Sequence, residues 1–276
     1  MTHAAGRTPP RPAPHRARKR FGQHFLEPAW VVKVVAAMDP RPDDTFLEIG
    51  PGRGALTIQL APRVGRLVAV EIDRDLAGAL SGVVPVPIRV VEGDVLETDL
   101  AALLAGEPRP VRVAGNLPYN VATPILFKLL AAADGGRQLA DATVMLQKEV
   151  ADRLVAGPGS SDYGSLALHV ALDADAERVL VLPPGAFRPP PKVTSAVVRL
   201  RFRPPAVDVG DRAVFERLVR GVFQQRRKTL LNALVPVAAT FGKTAADLIE
   251  RAGVDAKVRP GDVPLAGFAA LSRAVL

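Results

Sequence analysis

The chain has 276 residues, 48% of them hydrophobic, with 26 prolines, 23 glycines and no cysteine. That length makes one large domain or two unequal ones, and the missing cysteine excludes disulfides, thiolate metal sites and a cysteine nucleophile, as suits a reducing, cytoplasmic setting. The net charge of +8 and pI of about 10.3 favour a polyanionic partner, nucleic acid first, over the alternative of surplus solvated arginines.

In chain order, residues 1–20 are rich in Pro, Arg and Ala without periodicity and read as a disordered basic arm. Six basic residues, from Arg7 to Arg20, precede the first acid, Glu27. No apolar stretch backs this charge, so a secretory signal is not expected. No uninterrupted apolar run reaches the ~18 residues of a membrane span, so no membrane partner is expected.

From about 28 to 200, strand-like and helix-like segments alternate. TFLEIG (45–50), RLVAVEID (66–73), PIRVVEGD (87–94), VRVAGNLP (111–118) and ATVMLQ (142–147) read as strands. A hairpin within 166–182 and a strand SAVVRLRF (195–202) follow. Helices are expected at 28–38, 54–62, 74–81, 98–104, 122–133 and 148–155. Short apolar strands separated by helices predict an α/β fold, a mostly parallel Rossmann-like sheet. The last strands, lacking a helix between them, predict an antiparallel edge. RPP (203–205) breaks the pattern, and 203–210 reads as a linker. Helices at 211–234, about 244–252 and 264–274 then make a small all-α C-terminal domain. The expected division is arm 1–20, sheet domain 21–202 and helical domain 203–276.

TFLEIGPGRGALT is a strand, a glycine turn and a helix start. Gly50, Gly52 and Gly54 make G-x-G-x-G, with Glu48 inside the motif and no G-K-S/T to make a P-loop. Parallel sheets bind ligands at the carboxyl ends of their strands. Glu71 ends the second strand, where an acid accepts from ribose hydroxyls, and Asp94 ends the third, where one accepts from an adenine amine. Taken singly, each acid also reads as a helix cap or turn former. Three ligand-type positions at three successive strand ends point to an adenosine-bearing ligand. The pattern resembles class I S-adenosylmethionine-dependent methyltransferases. That resemblance assigns Gly50, Gly52, Glu71 and Asp94 to S-adenosylmethionine, with S-adenosylhomocysteine as product.

GNLPY ends the fourth strand on the same rim. Pro118 forbids a helix there, and the string resembles the Asn/Asp-Pro-Pro-Tyr motif of enzymes that methylate exocyclic amines of adenine. Such an amine is a poor nucleophile because its lone pair is delocalised into the ring. If the Asn116 side-chain carbonyl and the Leu117 backbone carbonyl accept its two N–H bonds, the lone pair localises and attacks a methyl in line. Pro118 fixes the turn, Tyr119 offers a face for the flipped base, and Asn116 also borders the cofactor. Phe187, in FRPPPKV, is placed to cover the other face of the base or to plug the core beneath its loop.

RKRFGQHFL (18–26), FLEIGPGRGALT, VEIDRDL, GDVL, AGNLPYN, MLQKEVADRL, YGSLALHV and FRPPPKVTSAVV occur in order. Together they resemble the KsgA family of small-subunit rRNA adenine dimethyltransferases, as do FQQRRKTLLNAL and RPGDVPLAGFAAL. The resemblance implies dimethylation of two adjacent adenines in the 3′-terminal hairpin of 16S rRNA, within the immature small ribosomal subunit. It puts His24 and Leu26 over the cofactor, with His24 where many members have asparagine. The runner-up is the related 23S rRNA methyltransferase type that confers macrolide resistance. FGQ, Leu117 and the RRKTL string favour the former.

Arg220, Arg226, Arg227 and Lys228, on the helix expected at 211–234, are candidates to grip rRNA phosphates, against a plain solvated helix face. An assembly factor whose binding outweighs its catalysis is a second class of reading. A nucleotide-dependent dehydrogenase is a third, without the glycine spacing it needs. The four histidines have no ligand spacing, so no metal is expected. No long heptad suggests a dimer, so a monomer is expected.

Overall fold

A computed structural model describes residues 24–276. The basic arm and most of RKRFGQHFL lie outside the described residues. Nine strands are present among those described: β1 (Phe25–Leu26), β2 (Thr45–Ile49), β3 (Arg66–Glu71), β4 (Arg89–Glu92), β5 (Val111–Asn116), β6 (Leu139–Gln147), β7 (Ala174–Leu182), β8 (Phe187–Arg188) and β9 (Ser195–Phe202). Seven of them form one sheet in the order β4-β3-β2-β5-β6-β9-β7. β2 to β6 run parallel, while β9 is antiparallel to both β6 and β7. This is the mostly parallel sheet with an antiparallel edge that the strand spacing predicts.

All five residues of β2 are buried, which is why TFLEI carries almost no polar alternation: both of its faces are covered. On one face lie α1 (Pro28–Met38) and α2 (Thr57–Leu60), packed with Phe46, Met145 and Val197. On the other, α4 (Leu100–Leu103), α5 (Ala122–Ala132) and α6 (Lys148–Leu154) pack with Leu47, Ile49 and Val113. α3 (Arg74–Val83) follows β3. The chain leaves β2 toward β3 on one side and returns to β5 on the other, so the order reverses beside β2. Ligand crevices form at such a reversal. At the opposite end of the strands Arg112 bonds Asp44 (2.8 Å), Asp141 (2.8 Å) and the Met38 and Asp39 carbonyls, tying α1 to the sheet.

Two expectations fail. The hairpin within 166–182 is a helix, α7 (Ser165–Asp173), followed by β7. α7 buries Val170 against the sheet core and Ala167, Leu168 and Leu172 against the C-terminal helices. A helix buried on opposite sides carries no single apolar stripe, so its period is hidden. The helix expected at 211–234 is two: α8 (Arg212–Phe223) and α9 (Leu230–Ala239), joined by a turn over 224–229. Breaking there lets the apolar faces of the two segments fold onto each other and onto α10 (Ala245–Ala252) and α11 (Leu265–Val275), around Phe215, Leu234 and Phe268. The freed amides of Leu230 and Leu231 donate to the Val258 and Ala256 carbonyls at 2.7 and 3.2 Å. This C-terminal core also takes in Tyr163 and Leu168, so it reaches back across residues 203–210 to the segment before β7.

Gly221 permits the close crossing of α8 and α9: a Cβ there would meet Val237 Cγ2 at 2.7 Å and Cβ at 2.8 Å. Gly221→Ala is expected to destabilise the protein by about 1–3 kcal/mol through overpacking, read as a lower urea midpoint at unchanged slope. No helix among the described residues is long and apolar enough to cross a membrane.

Candidate active site

The strand ends bring the sequence motifs together. After β2 the backbone turns through Gly50 (φ 65°), Gly52 (φ 59°) and Gly54 (φ 79°), a left-handed conformation that side-chain-bearing residues avoid. The turn brings the Gly52 amide to Glu71, which accepts from it through Oε2 at 2.8 Å and from the Asp73 amide through Oε1 at 2.9 Å. Both carboxylate oxygens are therefore fixed in direction at the end of β3. Burial raises the Glu71 pKa, and the Asp73 and Gly52 amides offset part of that rise. At the end of β4, Asp94 Oδ1 accepts from the Leu96 amide at 2.8 Å, which fixes a second carboxylate at the rim.

Two adjoining cavities open there. One is an apolar slot between Ile49, Val70, Ile72, Val95 and Val121, with Asp94 in its wall. The other is lined by His24, Leu26, Glu48, Gly52, Glu71, Asn116, Leu117 and Tyr119. Gly50, Ile72 and Pro118 border both. Alternation along β2 explains the division: Ile49 points to the α5 side and Glu48 to the α1 side. Ile72, although apolar, is 47% exposed in this crevice.

Glu48 is the unusual group. It is 1% exposed, and neither its Oε2 nor the nearby Thr57 hydroxyl has a hydrogen-bond partner. Burial pushes its pKa up to about 7 and the Glu71 charge adds to it; the Thr57 hydroxyl is near enough to oppose the rise, though not in hydrogen-bond geometry. The donor and acceptor set fits an adenosine-bearing cofactor with a cationic tail. It offers a flat apolar slot with an acid in its wall, then a backbone-held acid, then an unsatisfied acid beside a glycine turn. A Cβ on Gly50 would meet nothing within 4 Å, so the turn leaves open room on that side.

At the end of β5, Asn116 Nδ2 donates to the His24 carbonyl at 2.8 Å. The amide nitrogen is thus engaged with the wall, and Oδ1 is the atom left for the cavity. Leu117 buries its side chain and donates its amide to the Met145 carbonyl at 3.2 Å. Pro118 accepts from the Val121 amide at 3.1 Å, closing the turn into α5. The Tyr119 hydroxyl bonds the buried Ser195 hydroxyl at 2.6 Å, and its ring is stacked with His24. Burial raises the Tyr119 pKa, with Ser195 opposing, so the phenol is neutral at ordinary pH.

Other candidates lie elsewhere. Phe187 lines neither cavity: it is fully buried, paired with Leu26 across the β1–β8 ladder. Its ring lies in the core of the α1 face, so it has no exposed face to offer a base. The basic group is also divided. Arg227 and Lys228 are exposed in the turn between α8 and α9. Arg226 donates to the Ser160 carbonyl at 3.2 Å, and Arg220 borders a separate cleft with Phe127, His169 and Glu216. The four candidates do not share the one helix expected to carry them, because α8 stops at Phe223. Sequence reasoning noticed Glu48 without giving it a role, and it missed Ile72 and Ser195. An apolar residue directly after a rim acid was a usable signal for Ile72. Ser195 had none.

A family model described as "Ribosomal RNA adenine dimethylase" matches residues 14–272. A protein of Methylibium petroleiphilum named "Ribosomal RNA small subunit methyltransferase A" is 48% identical over 265 residues, covering 95% of this chain and 97% of the relative. Among solved structures, a dimethyladenosine transferase from Plasmodium falciparum superposes with a TM-score of 0.74 at 25% identity, covering 90% of this chain and 96% of its own. The 23S rRNA methyltransferase ErmE superposes at 0.65 with 26% identity, covering 91% and 99%.

Proposed function

Because the chain belongs to the ribosomal RNA adenine dimethylase family, we propose that it transfers methyl groups from S-adenosylmethionine to 16S rRNA. The acceptors are the exocyclic amines of two adjacent adenines in the 3′-terminal hairpin, within the immature small subunit. The observation that carries this reading is the meeting of Asn116 and Tyr119 with Gly52 and Glu71 in the wall of one cavity, with Asp94 in the wall of the next. The 48% identity to a small-subunit enzyme, against 26% to ErmE, favours the small-subunit substrate over the 23S alternative.

Asp94 and the Ile72–Val121 slot would hold the adenine, Glu71 the ribose hydroxyls, and the glycine turn with Glu48, Leu26 and the His24 backbone the methionine portion. When bound, the cofactor supplies an electrophilic methyl on a sulfonium sulfur. The chain's own task is to present the acceptor nitrogen. Asn116 Oδ1 and the Leu117 carbonyl accept hydrogen bonds from the two amine N–H groups, which keep their protons, and draw the lone pair out of conjugation toward the methyl. Pro118 holds the two acceptors in one turn, and Tyr119 stacks on the flipped base, worth roughly 1–3 kcal/mol. No side chain need take the proton before attack; the product nitrogen loses it to solvent afterwards.

Residues 21–202 would then be the methyltransferase domain and 203–276 the helical rRNA-binding domain of a monomer. Arg227 and Lys228 carry the phosphate contact best, being exposed on a turn; Arg226 and Arg220 contribute from their own positions. Replacing Arg227 and Lys228 with alanine should lower the slope of log affinity against log salt by about two, with cofactor affinity unchanged. The function itself is tested by incubating the protein with unmethylated small subunits and labelled cofactor. Mass spectrometry of the rRNA should find dimethyladenosine in the 3′-terminal hairpin; label in 23S rRNA alone would overturn the assignment.

A further inference from the structure

Three helices turn side chains into one cleft on the flank of the sheet. α7 brings Ser165 and His169, α8 brings Arg212, Glu216 and Arg220, and α5 brings Phe127. Within α7 and α8 these residues are four apart, the spacing that sets side chains on one helix face. The cleft measures about 470 Å³, inside the roughly 300–1,000 Å³ usual for ligand sites. It shares no lining residue with the two cavities at the rim.

The groups in it keep binding capacity that the fold does not use. Arg212 is neutralised: Nη1 donates to Asp173 Oδ1 at 3.0 Å and Nε to Glu216 Oε1 at 3.2 Å. Arg220, two turns on, forms no ion pair among the described residues, so one positive charge is left over at its end. His169 Nδ1 donates to the Ser165 carbonyl at 2.6 Å, which leaves Nε2 as an acceptor. Burial lowers the His169 pKa; the Ser165 carbonyl and Glu216 oppose the fall, and Arg212 and Arg220 add to it, so the ring is neutral at ordinary pH. Glu216 keeps Oε2 as a second acceptor. Phe127 stands at right angles to the His169 ring and is 37% exposed, unusual for so apolar a side chain.

We propose that this cleft binds one ribonucleotide unit, with its base on Phe127, its phosphate at Arg220 and its 2′-hydroxyl turned to His169 Nε2 and Glu216 Oε2. An aromatic face, a lone cation and acceptors for a hydroxyl are the complement of a base, a phosphate and a ribose. An acidic peptide would use the arginine and leave the acceptors idle, and a deoxynucleotide would lack the hydroxyl. The inference rests on the proposed function for the source of the unit, the RNA that carries the target adenines. α5 joins the two places: Ile125 lines the rim slot that holds Asp94, and Phe127 follows two residues later. An RNA strand leaving the rim thus meets this cleft next.

Uridine 5′-monophosphate is the probe, because it lacks the adenine that the rim cavities fit. It is titrated into the full chain by NMR with S-adenosylhomocysteine held saturating. The 2′-deoxy form should bind about fivefold more weakly, and Phe127→Leu and Arg220→Ala should each weaken uridine monophosphate about tenfold. No binding by the parent, equal binding of the ribo and deoxy forms, or undiminished binding in both variants would each overturn the site. The same variants, titrated with unmethylated small subunits, identify the source. Both should lose about tenfold in affinity, and Arg220→Ala alone should lower the slope of log affinity against log salt by about one. If the variants lose the nucleotide but hold subunits as the parent does, the RNA source is overturned and the cleft takes a free ribonucleotide. A parent that binds the probe in this way yet methylates no rRNA would sink the proposed function and leave the cleft standing.

Discussion

Asn116→Ala is expected to lower the single-turnover rate of methyl transfer by about 10²–10³-fold, the usual loss for one preorganised hydrogen-bonding group aimed at developing charge. Affinity for small subunits should stay within about twofold. The size follows from how the amide is held. Nδ2 donates to the His24 carbonyl, so Oδ1 has one direction available, into the cavity that Glu71 and the glycine turn also line. Alanine removes the acceptor that localises the adenine lone pair, and no nearby water can copy a fixed oxygen without an ordering cost. Asn116→Asp tests the same point from the other side. It keeps an oxygen for the cavity but sets a second oxygen against the His24 carbonyl, so it should also be slow. Rapid-quench measurement with labelled cofactor and saturating subunits checks both variants. An equal loss of subunit binding would make Asn116 a structural residue and remove its proposed role.

Glu48→Gln is expected to stabilise the cofactor-free protein at pH 8 by up to about 3 kcal/mol, and to have no such effect near pH 4. Glu48 is buried with an unpartnered oxygen, and burial raises its pKa from 4.5 to about 7. Below 4.5 the carboxyl is protonated in folded and unfolded chains alike, and burying it costs little. Between 4.5 and about 7 the unfolded chain releases the proton and the folded one keeps it, so stability falls as pH rises through that window. Above it the folded protein carries a buried, partly unsatisfied charge and the loss levels off. Glutamine has the same shape and no charge, so its variant should lack this slope. Urea denaturation at pH 4, 6 and 8 measures it, and parallel curves for parent and variant would show that the carboxylate is not strained. A site that tolerates such a cost fits a group kept for a cationic ligand. On the proposed function, the variant that is more stable should bind S-adenosylmethionine more weakly.

Much of the architecture was legible because its signals are local. TFLEI and RLVAVE are apolar runs short enough for strands, and the helices between them carry their own spacing. The glycines, Glu71 and Asp94 each sit at the end of such a run, so a parallel sheet brings them to one rim without further information. Two elements were misread for opposite reasons. α7 is buried on two sides and has no polar face to reveal its period. The stretch from Arg212 to Leu234 keeps a helical pattern across a break that only packing explains. The close approach at Gly221 was not read in the sequence at all; only the packing of α9 against α8 shows it.

By itself, then, the order of residues determined the sheet, the rim and the acids on it, since period, apolar runs and turn formers act over a few neighbours. Which atoms face the cavity was decided by tertiary structure alone. Asn116 is oriented by a carbonyl 92 residues away, and Tyr119 is anchored by a hydroxyl 76 residues away. Phe187 took the second of its two expected places, in the core, because β1 and β8 pair across the chain, and the same end of β1 sets the His24 ring against Tyr119. Contacts between positions so far apart leave no period in the chain, because the chain must close on itself before they exist.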